Sequence, residues 1–206
     1  MQQVCRLRNE GIFNKVIVVL NSTNTVELTF LNEFQVDACL LLSTPGQYGL
    51  NSLAEILAGK ASPPGRLTDT WCYNNFAAPA MWNFTPVPYE NAEELGVPDN
   101  ADTYQVYQEG IYVGYRYFET RYEDFVMGTG NAGDYDYENL VAFPFGYGLS
   151  YTEFVWSNMK TVYDRASDAF TVNVTVTNAG EVPGKDVVQI YGRDRKSTRL
   201  NSSHAT

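Results

Sequence analysis

Two short runs of apolar residues place the strongest constraint on how this chain can fold. Residues 16–20 read V-I-V-V-L, and residues 36–42 read V-D-A-C-L-L-L. Strands that are apolar on both faces are typical of a parallel sheet covered by helices. Because a short helical stretch at residues 26–34 separates the two runs, the sequence predicts a parallel strand pair joined by a brief crossover helix.

A further helix is predicted at residues 51–58, where Leu53, Ile56 and Leu57 share one face and Gly59 provides a stop. The order strand, helix, strand, helix is typical of an α/β layer. Two strands are too few for a stable doubly wound sheet, so we expect further strands before Met1. Cys39 lies inside the second apolar run and is expected to be a buried thiol.

The pattern changes after a rigid turn at residues 62–67, which reads S-P-P-G-R-L. Residues 73–103 are rich in Asn, Ala and Pro and show no period, which predicts an extended surface segment. Residues 107–118 return to strand character, because apolar and aromatic side chains alternate there at Ile111, Val113, Tyr115 and Tyr117. Residues 128–139 are predicted to form a loop and residues 143–151 an aromatic strand or turn.

From Phe154 onward the pattern is all-β. Residues 170–177 read F-T-V-N-V-T-V-T, residues 178–184 carry turn residues, and residues 187–191 resemble a further strand. This predicts the opening of a β-sandwich, which needs about 100 residues in all. Too few residues follow Phe154, so we expect the sandwich to be cut short.

Residues 194–206 do not resemble the rest of the chain. They are polar and basic, and they resemble the conceptual translation of a sequencing-library adapter, so we exclude them from fold reasoning. His204, the only histidine, lies in this tail. The preceding residues therefore offer no Ser-His, Cys-His or His-metal site.

Composition excludes several classes of function. A net charge of −10 argues against nucleic acid as a partner. No apolar run reaches the ~18 residues of a membrane span. The three cysteines have no metal spacing and form no disulfide framework, which favours a reducing compartment. Localisation stays open, with the cytoplasm favoured because no secretory signal begins at Met1, and no cofactor is predicted.

Two patterns that could carry chemistry are better explained as structure. Residues 128–133 fit G-x-G-x-x-G, but the acidic residues 134–138 that follow would repel a phosphate. Glycoside hydrolysis needs two carboxylates at a fixed separation, which a sequence cannot reveal. Glu109 and Arg116 stand out among the charged residues, and an internal ion pair is the favoured interpretation. The other acidic candidates are mostly expected to be solvated: Glu90, Glu93, Glu94, Glu119, Glu123, Asp124, Asp134, Asp136 and Glu138.

Four segments, in order, resemble the C-terminal half of glycoside hydrolase family 3. They are P-G-Q-Y-G at residues 45–49 with S-P-P-G-R-L at 62–67, E-G-I-Y-V-G-Y-R-Y-F at 109–118, F-P-F-G-Y-G-L-S-Y-T at 143–152, and the strands and turns of 174–191. The resemblance covers residues 16–193. It assigns a structural or interface role to a set of motif residues: Pro45, Gly46, Gln47, Gly49, Gly65, Arg66, Glu109, Gly110, Tyr115, Arg116, Gly146 and Gly148.

The resemblance implies a partial α/β sandwich layer followed by an incomplete all-β fibronectin type III-like sandwich. Its domains would be a partial α/β sandwich domain at 1–72, linking or completing segments at 73–153 and a truncated fibronectin type III-like domain at 154–193, followed by the tail at 194–206. It also implies a retaining β-glucosidase-like parent that binds a small carbohydrate substrate. The nucleophile would lie in a missing N-terminal barrel, and no catalytic residue is assigned to this chain.

Two alternatives stay open. The parent could be a β-xylosidase or α-arabinosidase of the same family, since these share the C-terminal motifs. The chain could instead be a stand-alone carbohydrate-binding or interaction module, for which its 15 tyrosines are the motive.

Overall fold

The computed structural model describes residues 1–98, 100–130, 132–193 and 202–205. These form two compact units that alternate along the chain. The first unit comprises residues 1–50 and 67–147, and the second comprises residues 51–66 and the chain from residue 148 onward.

The first unit contains the predicted parallel strand pair. Helix α1 (Gln2–Asn9) precedes strand β1 (Ile17–Leu20), and helix α2 (Thr29–Phe34) connects β1 to strand β2 (Ala38–Leu41). The two strands pair in parallel along their whole length. The predictions of a parallel strand pair and a brief crossover helix are therefore confirmed, and the chain has the α/β character that the sequence indicates.

Asp37 holds the start of this strand pair together. Its carboxylate accepts hydrogen bonds from the Val16 N–H at 2.7 Å and from Arg8 Nη1 at 3.2 Å. Arg8 Nη1 also donates to the Gln35 carbonyl oxygen at 2.6 Å. The Val16 N–H, followed by the Arg8 guanidinium, lowers the pKa of Asp37 below its ordinary value.

The strand pair leaves apolar side chains open to solvent. Ile17, Val19 and Leu41 are 44%, 37% and 41% exposed. Cys39 is exposed too, so the prediction of a buried thiol is wrong. The run is apolar enough to be buried, but among the described residues no complete helical layer covers both faces of the two strands.

The core of the first unit lies in its later part. Strand β3 (Trp71–Cys72) pairs antiparallel with strand β6 (Val141–Phe143), and strands β4 (Val87–Pro88) and β5 (Thr103–Tyr104) form a second antiparallel pair. Two short 3-10 helices, Asn75–Ala77 and Pro79–Asn83, follow β3. Around the β3–β6 pair the buried side chains form one cluster of Cys72, Phe118, Ala132, Tyr135 and Val141.

The segment predicted as a strand at residues 107–118 is a turn followed by a helix. Helix α4 runs over Tyr115–Met127, and Gly114 and Gly128, with φ of +61° and +63°, flank it. The alternation that suggested a strand stops within α4, where Phe118 and Phe125 instead continue a helical spacing with Tyr115. A short helix α5 (Tyr137–Leu140) then leads into β6.

Helix α3 (Gly49–Leu57) forms where the second predicted helix was expected. The second unit is dominated by an antiparallel hairpin of strands β7 (Phe154–Asp164) and β8 (Ala169–Asn178), with Phe154 opposite Asn178. Strand β9 (Ile190–Arg193) pairs with strand β10 (Ser202–Ala205). The change to β-structure at Phe154 is confirmed, whereas residues 194–201 and 206 of the tail lie outside the described residues.

Candidate functional site

The motif at residues 45–49 forms the turn between β2 and α3. The Gly49 N–H donates to the Pro45 carbonyl oxygen at 3.1 Å, and a Cβ on Gly49 would lie 2.6 Å from the Pro45 Cβ. Gly46 has φ of +63°, a conformation that side chains with a Cβ rarely adopt. Gln47 is exposed. The glycines of this motif are therefore explained by the close turn itself.

In the first unit, motif residues at 143–147 contact two distant segments. The Gly146 N–H donates to the Leu67 carbonyl oxygen at 2.7 Å, and the Leu67 N–H donates to the Tyr147 carbonyl oxygen at 2.8 Å. The rings of Tyr115 and Phe145 stack with centroids 3.9 Å apart and an interplanar angle of 16°. The second and third family-like motifs thus touch through stacked rings.

Glu109 and Arg116 do not lie inside a strand, contrary to the sequence prediction. Glu109 is at a turn in which its carbonyl oxygen accepts the Tyr112 N–H at 2.8 Å, and Gly110 follows with φ of +55°. Arg116 is exposed on α4, and its guanidinium carbon lies 5.8 Å from the centroid of the Tyr115 ring. These positions place Glu109 at a turn and Arg116 at the start of a helix.

In the second unit, Arg66 is the centre of a polar network. Its Nη2 lies 2.9 Å from Asp186 Oδ1, and only 13% and 12% of the two side chains are exposed. The Trp156 indole N–H donates to Asp186 Oδ2 at 2.8 Å. The Arg66 side chain also runs close to Gly148, where an added Cβ would lie 2.9 Å from the Arg66 Cδ.

Asp186 stays charged in this network. Burial alone would raise the pKa of its carboxyl group. The hydrogen bonds from Trp156, the Val187 N–H and Arg66, together with the charge of Arg66, outweigh that effect and lower the pKa below its ordinary value. The network therefore joins the turn at residues 65–66 to the hairpin and to the turn before β9 by a charged contact.

Replacing Gly148 with alanine is expected to destabilise the second unit by about 1–3 kcal/mol, because the new Cβ would lie 2.6 Å from the Gly65 carbonyl oxygen. The matched control is Gly65→Ala, since a Cβ there meets nothing within 4 Å. Urea unfolding followed at the Trp156 indole measures both variants. Equal loss in the two variants would contradict the close-packing explanation.

The turn after β8 is also built from side-chain contacts. The Thr152 hydroxyl donates to Asn178 Oδ1 at 2.6 Å, and Asn178 Nδ2 donates to the Val182 carbonyl oxygen at 2.8 Å. A Cβ on Gly180 would lie 2.2 Å from Thr152 Oγ1. The N-A-G sequence of residues 178–180 is thus required by packing against Thr152.

Sequence reasoning missed a partly buried cluster of aromatic and charged residues beside α4. The Arg121 guanidinium carbon lies 5.7 Å from the Tyr117 ring and 5.2 Å from the Tyr135 ring, and Arg121 Nη2 donates to the Ala132 carbonyl oxygen at 3.0 Å. Tyr137 donates its hydroxyl to Glu119 at 2.7 Å. Burial raises the pKa of Glu119. The alternation of tyrosines with charged residues in 115–124 was the available signal.

The other acidic candidates with described contacts also have structural partners. Asp124 accepts a hydrogen bond from Thr129 Oγ1 at 3.2 Å, and Asp136 accepts the Asn139 N–H at the start of α5. The G-x-G-x-x-G match begins at Gly128, which ends helix α4 and follows no strand. Its position is unlike that of a dinucleotide-binding loop.

The described residues provide neither a metal-binding cluster nor a membrane-spanning helix. In that part of the chain no three His, Cys, Asp or Glu side chains are grouped closely enough to hold a metal ion. None of the helices described combines the length and apolarity needed to cross a bilayer.

The chain is similar in sequence to a known family of proteins. Residues 4–115 match the family model described as the glycosyl hydrolase family 3 C-terminal domain. The chain is 34% identical over 179 residues to a β-glucosidase of Ruminococcus albus, an alignment that covers 87% of this chain and 15% of the relative. It is 36% identical over 193 residues to β-glucosidase A of Butyrivibrio fibrisolvens, covering 87% of this chain and 20% of the relative.

Solved structures that resemble this chain are named as β-glucosidases too, like the relatives found by sequence. The chain resembles the structure of β-glucosidase 3B from Thermotoga neapolitana in complex with glucose, with a TM-score of 0.69 and 31% identity. That match covers 97% of this chain and 24% of the solved chain. The chain thus spans about a fifth of the length of the curated relatives and a quarter of this solved one.

Proposed function

The chain belongs to glycosyl hydrolase family 3, and on that premise we propose that it is the C-terminal portion of a β-glucosidase-type enzyme. The bond-cleaving residues of that enzyme would lie outside these 206 residues. One observation carries the proposal: β-glucosidases match 87% of this chain while the chain matches only 15–20% of them.

The proposed parent removes a terminal sugar from a β-linked oligosaccharide or an aryl glycoside. A retaining hydrolase needs a carboxylate nucleophile and a carboxylic acid about 5–5.5 Å apart. The acidic residues with described roles in this chain, such as Asp37, Glu119 and Asp186, hold turns, rings and strands together instead. We therefore assign the chain a scaffold role within the parent, with an N-terminal barrel as its missing partner.

Exposed apolar surface supports the presence of further elements in the parent. The strand pair β1–β2 exposes Ile17 and Leu41, and the hairpin β7–β8 exposes Val155 at 53% and Phe170 at 71%. A lone two-stranded hairpin is marginally stable in water, so such strands are usually part of a larger sheet. We propose that β1–β2 belongs to a larger α/β domain.

By the same reasoning, the hairpin would open a fibronectin type III-like sandwich that begins near Phe154. For the domain limits we propose those implied by the resemblance, namely 1–72, 73–153 and 154–193.

The alternative of a tyrosine-lined binding module has less support. Several tyrosines pack on other aromatic rings, as Tyr122 does on Tyr137 at 4.4 Å and Tyr89 on Tyr104 at 4.9 Å. Rings engaged in this way stabilise the fold and offer less surface to a ligand. A β-xylosidase or α-arabinosidase parent shares the same fold, and the choice of sugar would be made by the missing barrel.

The DNA on both sides of this reading frame tests the proposal. We expect an upstream region that encodes a barrel with a carboxylate nucleophile, and a downstream region that continues the sandwich from residue 193 in place of the tail. An open reading frame that starts at Met1 and stops after Thr206 in the genome would contradict the assignment.

A further inference from the structure

We propose that residues 51–66 form a clasp that folds and unfolds together with the β7–β8 hairpin, although they lie in the chain between two parts of the first unit. The clasp contains most of helix α3 and the turn at residues 62–66. Hydrogen bonds join it to Ser150, Tyr151 and Asp186 in the second unit. The role that follows for the β-rich C-terminal part is to hold α3 in place.

Neither the helix nor the hairpin is long enough to be stable by itself. Helix α3 has nine residues, and isolated helices shorter than about 12–15 residues are marginal in water. Strands β7 and β8 form a two-stranded sheet, which needs further strands or a packed helix for independent stability. Each part therefore depends on tertiary contacts, and the contacts described in the second unit join one part to the other.

The first of these contacts is at the end of α3. The last carbonyl groups of a helix have no partner within the helix. The Ile56 carbonyl oxygen accepts the Tyr151 hydroxyl at 3.0 Å as well as the Gly59 N–H at 2.9 Å. The Tyr151 N–H donates to Ser62 Oγ at 2.9 Å. One residue just before the hairpin therefore contacts both the helix end and the turn that follows it.

The turn of the clasp is joined to the hairpin by two further contacts. Ser62 Oγ and Ser150 Oγ lie 2.7 Å apart in a partly buried hydrogen bond. Arg66 pairs with Asp186, which in turn accepts the Trp156 indole N–H. Trp156 is on β7, which pairs with β8. A continuous series of polar contacts thus connects the end of α3 to the hairpin.

The backbone along this series is closely packed. A Cβ on Gly148 would lie 2.6 Å from the Gly65 carbonyl oxygen, and a Cβ on Gly184 would lie 2.6 Å from Thr152 Cγ2. Atoms packed without spare space cannot move independently of one another. We therefore expect the clasp and the hairpin to lose their contacts together, in one opening step.

This folding unit differs from the domain limits that the family resemblance implies. Those limits place residues 51–66 in the partial α/β domain at 1–72, so α3 would open together with that domain. The contacts instead group the clasp with the hairpin. Proteins open locally in cooperative units of contacting elements, and the amides of each unit exchange hydrogen with a common opening free energy. The two groupings therefore predict different exchange behaviour for α3.

Hydrogen exchange of the full chain, followed by NMR, provides a probe for each part. The Ala58 N–H donates to the Ala54 carbonyl oxygen at 3.0 Å and reports on the clasp. The hydrogen-bonded amides of β8 report on the hairpin. The Tyr73 N–H donates to the Leu140 carbonyl oxygen at 3.1 Å and reports on the first unit.

Two variants weaken the clasp to different extents. Tyr151→Phe removes only the hydroxyl group bound to α3, and it should speed exchange at Ala58 and in β8 by the same factor, about fivefold. Arg66→Ala should speed both by about thirtyfold or more. The Tyr73 amide should be unchanged in both. Tyr48→Phe is the matched control, because it removes the same atom from a 79% exposed ring just before α3 and should change none of the probes.

Phe118→Ala provides the reverse test, because it weakens the core of the first unit. It should speed exchange at Tyr73 and leave Ala58 unchanged. The proposal is overturned if Ala58 responds to Phe118→Ala as Tyr73 does, or if Tyr151→Phe speeds exchange at Ala58 but not in β8. It is also overturned if Arg66→Ala leaves Ala58 protected. If Arg66→Ala unfolds the second unit outright, joint loss of protection at Ala58 and in β8, with Tyr73 still protected, is the result that the proposal predicts.

Discussion

Replacing Phe118 with alanine is expected to lower the free energy of unfolding of the first unit by about 3–5 kcal/mol. Phe118 is 3% exposed and belongs to the buried cluster with Cys72, Tyr135 and Val141. Removing its ring would leave a cavity between α4 and the β3–β6 pair, and the surrounding side chains relax only partly into such a space. Urea unfolding followed at the Trp71 indole, one residue from Cys72, measures the loss.

The same helix provides the control for this prediction. Phe125 is also on α4 but is 49% exposed, so Phe125→Ala should change the free energy of unfolding by less than about 1 kcal/mol. The two variants remove the same atoms from the same helix, and only burial differs. Equal losses would mean that Phe118 does not anchor α4 in the core.

Replacing Arg66 with alanine is expected to destabilise the second unit by about 2–3 kcal/mol, since it leaves the Asp186 carboxylate with 12% exposure and without its cation. This expected loss of stability is smaller than the loss on breaking a fully buried ion pair, because both side chains keep some contact with water. Part of the loss should be recovered in the double variant Arg66→Ala/Asp186→Ala, in which no charge is left unpaired. The Trp156 indole signal in urea unfolding measures all of these variants.

This contact should also depend on pH. The folded-state pKa of Asp186 is lowered, so its stabilising contribution is present above the ordinary carboxyl pKa of about 3.9 and is lost as the pH falls through the lower folded value. Arg66→Ala should reduce the loss of stability as the pH falls below about 4. An acid dependence identical to that of the unchanged chain, or no recovery in the double variant, would contradict a coupled charge pair.

Features that depend on neighbouring residues could be predicted from the sequence. The strands at β1 and β2 and the hairpin strand β8 follow from runs of apolar residues or from strict alternation, which specify a strand with little help from the rest of the fold. The glycine turn at Pro45–Gly49 follows from residue types that only a tight turn requires. These local patterns were enough to suggest an α/β part followed by an all-β part.

Features that depend on competing patterns or distant partners could not be predicted. Residues 111–117 alternate like a strand, but the aromatic residues from Tyr115 to Phe125 also have the spacing of a helix. The helix forms there and buries Phe118. Cys39 was expected to be buried because its strand is apolar, yet burial depends on layers beyond the strand pair. The ion pair of Arg66 with Asp186 joins residues 120 positions apart, and no local pattern relates them.

In the candidate site, too, local patterns could be predicted from the sequence and contacts with distant residues could not. The family-like motifs are recognisable because their glycines and aromatic residues are tightly spaced, and the structure gives several of them packing reasons, as at Gly148 and Tyr115. The contacts of Arg121 with the Tyr117 and Tyr135 rings could not be predicted, because they join α4 to a segment beyond the loop that follows it.

Hydrolysis of an aryl β-glucoside by the purified chain tests the central claim most directly. The chain should be folded, as its Trp71 signal reports, and should release no more aryl alcohol than the buffer does. The same chain joined to its upstream genomic region should hydrolyse the glycoside. Turnover by the chain alone would contradict the account, because it would place both catalytic carboxylates within these 206 residues.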